Sequence, residues 1–114
     1  MEYENLVESY LLNSEVMKRF YENYPGINGA KDIKCTKAAE NDSKIFYNIS
    51  TPDGGFLLDS GFIVVDKKTG EVYNPFFEKG KNNQSFYEIS LEFSKTVLNE
   101  EDQDKTLKYF NYGK

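Results

Sequence analysis

Hydrophobic and polar positions alternate in the middle of the chain with a period of two, which predicts β-strands. Between residues 43 and 50, apolar side chains occupy every second position, at Ile45, Tyr47 and Ile49. The run from Phe62 to Asp66 is apolar without interruption up to its last residue. Such a run is typical of a central strand whose two faces are both covered.

A tight turn follows the continuous apolar run. Asp66 can accept N–H bonds from the turn that spans Lys67 to Gly70, and Gly70 can take a positive φ. Glu71 to Tyr73 then forms the outgoing strand of a hairpin. The weaker alternation over Lys31 to Lys37 predicts a short edge strand.

Helical periodicity marks both ends of the chain. From residue 3 to 22, apolar residues recur at three- and four-residue intervals, which predicts one long amphipathic helix. Pro25 and Gly26 are expected to end it. A short C-terminal helix is predicted between a cap at Asn99 and a stop at Gly113.

The segment from Phe86 to Leu98 has two interpretations. Alternation up to Phe93 favours a strand, with Ile89 and its alternate neighbours facing inward. The competing interpretation is a helix in which Tyr87 and Leu91 share one side. With the strand preferred, the fold class is α+β: an N-terminal helix packed on a four- to five-stranded antiparallel sheet, with a short C-terminal helix.

The composition fits one domain spanning residues 1–114. A chain of this length can bury a single core without metal or disulfide staples. Nine Phe and nine Tyr must supply much of the core volume, because the chain contains no Trp. The polar stretch from residue 76 to 84, which begins with two Phe, is predicted to be an exposed loop.

The charge balance bears on the kind of partner. The chain has 14 basic and 19 acidic side chains, for a net charge of −5. A negative surface repels phosphate backbones, so no nucleic-acid partner is expected, whereas attraction to a basic protein is favoured. The alternative interpretation is that this charge keeps an ordinary protein in solution.

A cytoplasmic location is expected. The only cysteine, Cys35, has no partner for an internal disulfide, which fits a reducing compartment. The acidic N-terminal residues do not resemble a signal peptide, and no apolar run approaches the roughly 20 residues needed to cross a bilayer. Lysines flank Cys35 and could favour a thiolate, but a half-buried strand position is the preferred interpretation.

The sequence lacks the side chains that most enzyme mechanisms require. The chain contains no histidine, which excludes Ser-His-Asp and Cys-His catalysis and His-containing zinc sites. No phosphate-binding or dinucleotide-binding glycine motif is present. Asp59, Asp66 and Glu71 could form a carboxylate pair, but turn capping and a cross-strand charge are preferred for the last two. We therefore expect no enzyme activity, no cofactor and no metal site.

An acidic and aromatic cluster near the C-terminus is the predicted partner-binding site. Its acidic members are Glu100, Glu101, Asp102 and Asp104, and its tyrosines are Tyr109 and Tyr112. Such residues suit an interface with a cationic site on a partner. The alternative is that the carboxylates stabilise a helix N-terminus and remain in water.

The run from Gly61 to Tyr73, after an N-terminal helix and a Gly-Gly turn, resembles small bacterial toxin-immunity proteins of the NTF2-like or cystatin-like type. The resemblance covers residues 54–74. It implies a non-enzymatic protein that binds and neutralises a cognate toxin, here expected to be basic. The alternative is a small-molecule-binding or catalytic NTF2-like domain with an aromatic pocket that uses Asp59 or Asp66. A structural accessory protein is a third hypothesis.

Overall fold

The structure is a computed structural model that describes residues 3–24, 26–50 and 61–97. Its α-helices and strands are α1 (Tyr3–Asn13), α2 (Glu15–Glu22), β1 (Lys34–Glu40), β2 (Lys44–Ser50), β3 (Phe62–Asp66), β4 (Val72–Tyr73) and α3 (Phe86–Val97). A 3-10 turn, Ala30–Asp32, precedes β1. This arrangement confirms the α+β class. None of the helices in these ranges is long and apolar enough to cross a membrane.

The four strands form one antiparallel sheet in the order β1-β2-β3-β4. The predicted strands at the centre are confirmed, and every residue of β3 is buried. The predicted edge strand is also present, as β1, although it begins and ends about three residues later than the alternation indicated. The hairpin turn forms as expected, with the N–H of Asp66 donating to the carbonyl of Glu71 at 2.8 Å and Gly70 at φ 75°.

Helices α1 and α2 cover one face of the sheet. The alternate residues Ile45, Tyr47 and Ile49 of β2 point to this side, where they join Ile63 and Val65 of β3. The helices contribute their buried apolar positions to the same cluster: Val7, Leu11, Met17, Phe20 and Tyr21.

Helix α3 covers the opposite face. Phe46, Phe62 and Val64 of the sheet pack there with Ile89 of α3. The rings of Phe46 and Phe62 stack at 5.8 Å between centroids. The sheet is therefore the middle layer of three, which explains why β3 is apolar at consecutive positions.

The predicted N-terminal helix is present, but its prediction as one continuous helix is wrong, because the chain breaks at Ser14 into α1 and α2. Ser14 has ψ 133°, and its hydroxyl accepts the N–H of Met17 at 3.4 Å as the cap of α2. The Tyr21 hydroxyl donates to the carbonyl of Leu11 at 2.6 Å, at the end of α1. That bond satisfies one of the carbonyls that a helix end leaves without a partner.

The preferred strand over residues 86–93 is also wrong, since this segment is helix α3. Ser85 and Glu88 form a capping box: the N–H of Glu88 donates to the Ser85 hydroxyl at 3.1 Å, and the N–H of Ser85 donates to the Glu88 carboxylate at 3.0 Å. Phe86, Ile89 and Phe93 then meet the sheet at helical spacing. The predicted helix from Asn99 to Gly113 lies outside the described residues.

Candidate functional site

The turn after β4 presents two phenylalanine rings at the surface. We call residues 74–77 the Phe turn. Asn74 is fully buried at its base, where its side-chain oxygen accepts the N–H of Phe76 at 3.1 Å. Its carbonyl accepts the N–H groups of Phe77 at 3.1 Å and of Glu78 at 3.0 Å. The turn is thus closed by hydrogen bonds that one buried residue accepts.

Tyr10 of α1 anchors this turn to the helical layer. The N–H of Asn74 donates to the Tyr10 hydroxyl at 3.0 Å, and that hydroxyl donates to the Glu78 carboxylate. Burial and the bond to Glu78 raise the pKa of Tyr10 well above its usual range. The Asn74 amide also lies 3.8 Å from the sulfur of Met17. Tyr10 and Met17 of the helical layer therefore hold Asn74, at the base of the turn, in place.

Each phenylalanine of the turn packs one side of its ring on the protein and leaves much of the other in water. Phe77 meets Phe20 of α2 edge-on with centroids 6.1 Å apart, and Phe76 meets Phe86 of α3 at 5.4 Å. Phe76 is nevertheless 48% exposed and Phe77 47% exposed. Adjacent half-exposed aromatic rings on an ordered turn are the kind of surface that protein interfaces use.

Helix α3 carries two further exposed apolar side chains. Tyr87 and Leu91, one turn apart, are among the most exposed large hydrophobic residues that the structure describes. Tyr87 follows Phe86, on which Phe76 packs. The Phe turn therefore contacts the first turn of the helix that carries Tyr87 and Leu91.

A partly buried ion pair ties α3 to the opposite end of the sheet from the Phe turn. Lys44 of β2 is only 4% exposed, and its ammonium lies 2.8 Å from the Glu92 carboxylate. The Asn41 side chain donates to Glu92 and to the Thr96 hydroxyl, both at 3.0 Å. These bonds satisfy the buried charge, so we assign the cluster a role in holding α3 on the sheet.

The carboxylates of the hairpin have structural partners. Asp66 accepts the N–H groups of Lys68 at 2.8 Å and of Thr69 at 3.2 Å, which confirms its predicted role in capping the turn. Its second oxygen accepts the Asn82 amide at 3.0 Å. Glu71 instead accepts the N–H of Lys81 at 2.8 Å. Asp59, the third candidate, lies outside the described residues.

Cys35 is half-buried in β1, as preferred from the sequence. Burial raises the pKa of its thiol to about 11, so the flanking lysines do not produce a thiolate at neutral pH. The side chain lines a groove of about 370 Å³ between α1 and the edge of the sheet.

The structure does not describe the binding residues that were predicted from the sequence. The whole set lies outside the described residues: Glu100, Glu101, Asp102, Asp104, Tyr109 and Tyr112. The Phe turn was predicted only as the start of an exposed loop. A local signal was present, because Asn74 and Pro75 directly after a strand are typical turn residues.

Comparison with protein-family models, curated proteins and solved structures finds no match to this chain. Functional inference therefore rests on the physical properties of the Phe turn.

Proposed function

We propose that the protein is a non-enzymatic inhibitor that binds and neutralises a cognate, basic bacterial toxin. The observation that carries this proposal is the Phe turn, whose two rings are half-exposed although their backbone is held by partly buried hydrogen bonds. The absence of histidine from the sequence and the resemblance of residues 54–74 to immunity proteins support the same class of function.

The turn can contribute a substantial part of a binding free energy. A phenylalanine side chain offers about 200 Å² of apolar surface, of which about half is exposed at each position of this turn. At about 25 cal/mol per Å², covering the remainder of both rings gives a gross contribution of about 5 kcal/mol, from which the costs of association are subtracted. Because the turn is already ordered, little conformational entropy is lost on binding.

Charge supports the choice of a basic partner. The chain carries a net charge of −5, and Glu4, Glu8, Glu15 and Glu22 are exposed on α1 and α2. A field of this sign attracts a cationic protein and mainly accelerates the encounter. In this proposal, charge sets the association rate and the aromatic rings set the lifetime of the complex.

The proposal is tested by affinity capture from the native host with a tagged protein, eluted by a salt gradient and read by mass spectrometry. We expect a stoichiometric basic protein that leaves at raised salt. The purified pair then allows a comparison of F76S/F77S with the wild type. We expect about a thousandfold loss of affinity, because truncating two aromatic hot spots costs about 2 kcal/mol each and every 1.4 kcal/mol is tenfold.

Leu12→Ser is the matched control for this experiment. Leu12 is 55% exposed, and it lies about 200° around α1 from Tyr10, away from the Phe turn. We expect this variant to bind like the wild type. Circular dichroism establishes that both variants are folded, and hydrogen exchange in the complex should show protection at residues 76 and 77. Unchanged affinity of folded F76S/F77S, or recovery of the protein alone, contradicts the proposal.

A further inference from the structure

One asparagine of the chain is followed by glycine: Asn28, in the segment between α2 and β1. Asn28 is exposed, and Gly29 is the N-terminal cap of the 3-10 turn Ala30–Asp32. The side-chain amide of an asparagine can be attacked by the backbone nitrogen of the next residue. Glycine obstructs this attack least, because it has no side chain and the greatest backbone freedom. The pair therefore has the composition of a deamidation site.

The local structure leaves both reacting groups free. The N–H of Gly29 donates to no acceptor among the described residues, and the side-chain amide of Asn28 has no hydrogen bond there either. Only the backbone N–H of Asn28 is bonded, to the Asp32 carboxylate at 2.8 Å. Both residues line an open cleft of about 600 Å³ beside α2, so water reaches them. No hydrogen bond within the protein has to break before the nitrogen attacks.

Asn13, which precedes Ser14, provides a comparison within the same chain. It is also exposed, at the end of α1. Its side-chain amide donates to the Ser9 hydroxyl at 3.4 Å, and the N–H of Ser14, the nucleophile in the same reaction, donates to the Tyr10 carbonyl at 2.9 Å. The bond from Ser14 must break before attack, which slows the reaction by about fivefold, the equivalent of one net hydrogen bond. The fold therefore protects Asn13 and leaves Asn28 unprotected.

We propose that Asn28 is a site of spontaneous deamidation in the folded protein, with water as the co-reactant. The Gly29 nitrogen loses its proton to hydroxide and attacks the side-chain carbonyl carbon of Asn28, and ammonia leaves as the new C–N bond forms. Water then opens the cyclic imide. Cleavage of the new C–N bond gives aspartate, and cleavage of the original peptide bond gives isoaspartate, with no oxidation or reduction. The site does not depend on the proposed inhibitor function.

The isoaspartate product changes the start of the 3-10 turn. Its main chain runs through the former side-chain carbon, so the backbone is one methylene longer directly before Gly29. The carbonyl of Gly29 accepts the N–H of Asp32 at 3.0 Å, and a shift of this carbonyl weakens that bond. The new carboxylate at position 28 also repels the Asp32 carboxylate. We expect the N–H of Asp32 to exchange with solvent about fivefold faster in the modified protein.

Peptide mapping by mass spectrometry during warm incubation tests the proposal. Conversion at Asn28 and Asn13 is measured in the folded protein and in guanidinium chloride, at mildly acidic and mildly alkaline pH. We expect conversion at Asn28 in the folded protein, and faster at alkaline pH because the attacking nitrogen must lose its proton. The ratio of the Asn28 rate to the Asn13 rate should be about fivefold higher in the folded protein, since only the folded chain has the bond from Ser14 to Tyr10.

Asn28→Gln is the matched variant, because it retains an amide but has to close a larger ring. Modification at this position, and the faster exchange of Asp32 after incubation, should both disappear. Asn13→Gln should leave the rate at Asn28 unchanged, and circular dichroism establishes that both variants are folded.

Two results overturn the proposal. One is an unmodified Asn28 in the folded wild type under conditions that convert it in the denatured chain. The other is the same ratio of Asn28 to Asn13 rates in the folded and the denatured protein, which would show that the fold does not select the site.

Discussion

The unpartnered hydroxyl of Tyr47 leads to an unusual expectation: Tyr47→Phe should stabilise the free protein. The ring is buried in the core below α1, and the hydroxyl has no partner among the described residues. Leaving a buried polar group without a hydrogen bond costs about 1–3 kcal/mol. The hydroxyl lies beside a groove, so we expect the lower end of that range, a gain of about 1 kcal/mol in the free energy of unfolding.

Urea denaturation followed by circular dichroism at pH 7 measures this gain, and the melting temperature should rise by about 4 °C. The matched control is Tyr21→Phe, which makes the same chemical change at a residue that is 7% exposed. Its hydroxyl donates to the Leu11 carbonyl at 2.6 Å, so its removal should lower the free energy of unfolding by about 1 kcal/mol. Equal destabilisation by both substitutions would refute the reasoning, because it would show that the Tyr47 hydroxyl has a partner in the free protein.

Two further predictions concern the charged groups that position the elements. Glu92→Gln should lower the free energy of unfolding by about 2–3 kcal/mol, less than for a fully buried pair because Glu92 is 25% exposed while Lys44 is 5% exposed. Glu15→Gln removes a charge from the exposed pair with Lys18 and is the control, which should change the free energy of unfolding in urea by less than about 0.5 kcal/mol. Similar losses for Glu92→Gln and Glu15→Gln would contradict the assignment of Lys44 and Glu92 as a partly buried ion pair. Hydrogen bonds from Lys37 and, to a smaller extent, from Lys67 lower the pKa of Glu40 from 4.5 to about 2. The stability that Glu40 contributes is therefore complete above pH 4.5 and is lost as the pH falls toward 2. Glu40→Gln should make the free energy of unfolding depend less on pH in this acid range. An NMR titration of Glu40 with a midpoint near pH 4.5 would contradict this prediction.

The central strands could be predicted because their signal is local. Alternation in β2 and the continuous apolar run of β3 reflect which faces of each strand are covered, and the Asp66 turn is specified by residues within five positions of one another. The same local reasoning failed for α3, since Phe86, Tyr87, Ile89, Leu91 and Phe93 fit both periods. The capping box of Ser85 and Glu88 was the signal that distinguishes them.

The candidate sites could be predicted less well. The Phe turn was expected to be exposed, but its order depends on the Tyr10 hydroxyl, which reaches Asn74 from a residue 64 positions earlier in the chain. The groove is formed by α1 and β1 together, and no pattern within either segment indicates it. The acidic and aromatic residues chosen from the sequence lie outside the described residues, so their role stays a prediction.

The sequence by itself determined the α+β class, the central hairpin and the lack of histidine chemistry. Only the tertiary structure decided that Lys44 is buried against Glu92 and that Tyr47 has no hydrogen-bond partner among the described residues. The physical reason is one of range. Periodicity and caps act over a few neighbouring residues, whereas the partner of a buried polar group is set by segments that are distant in sequence and meet only when the layers pack.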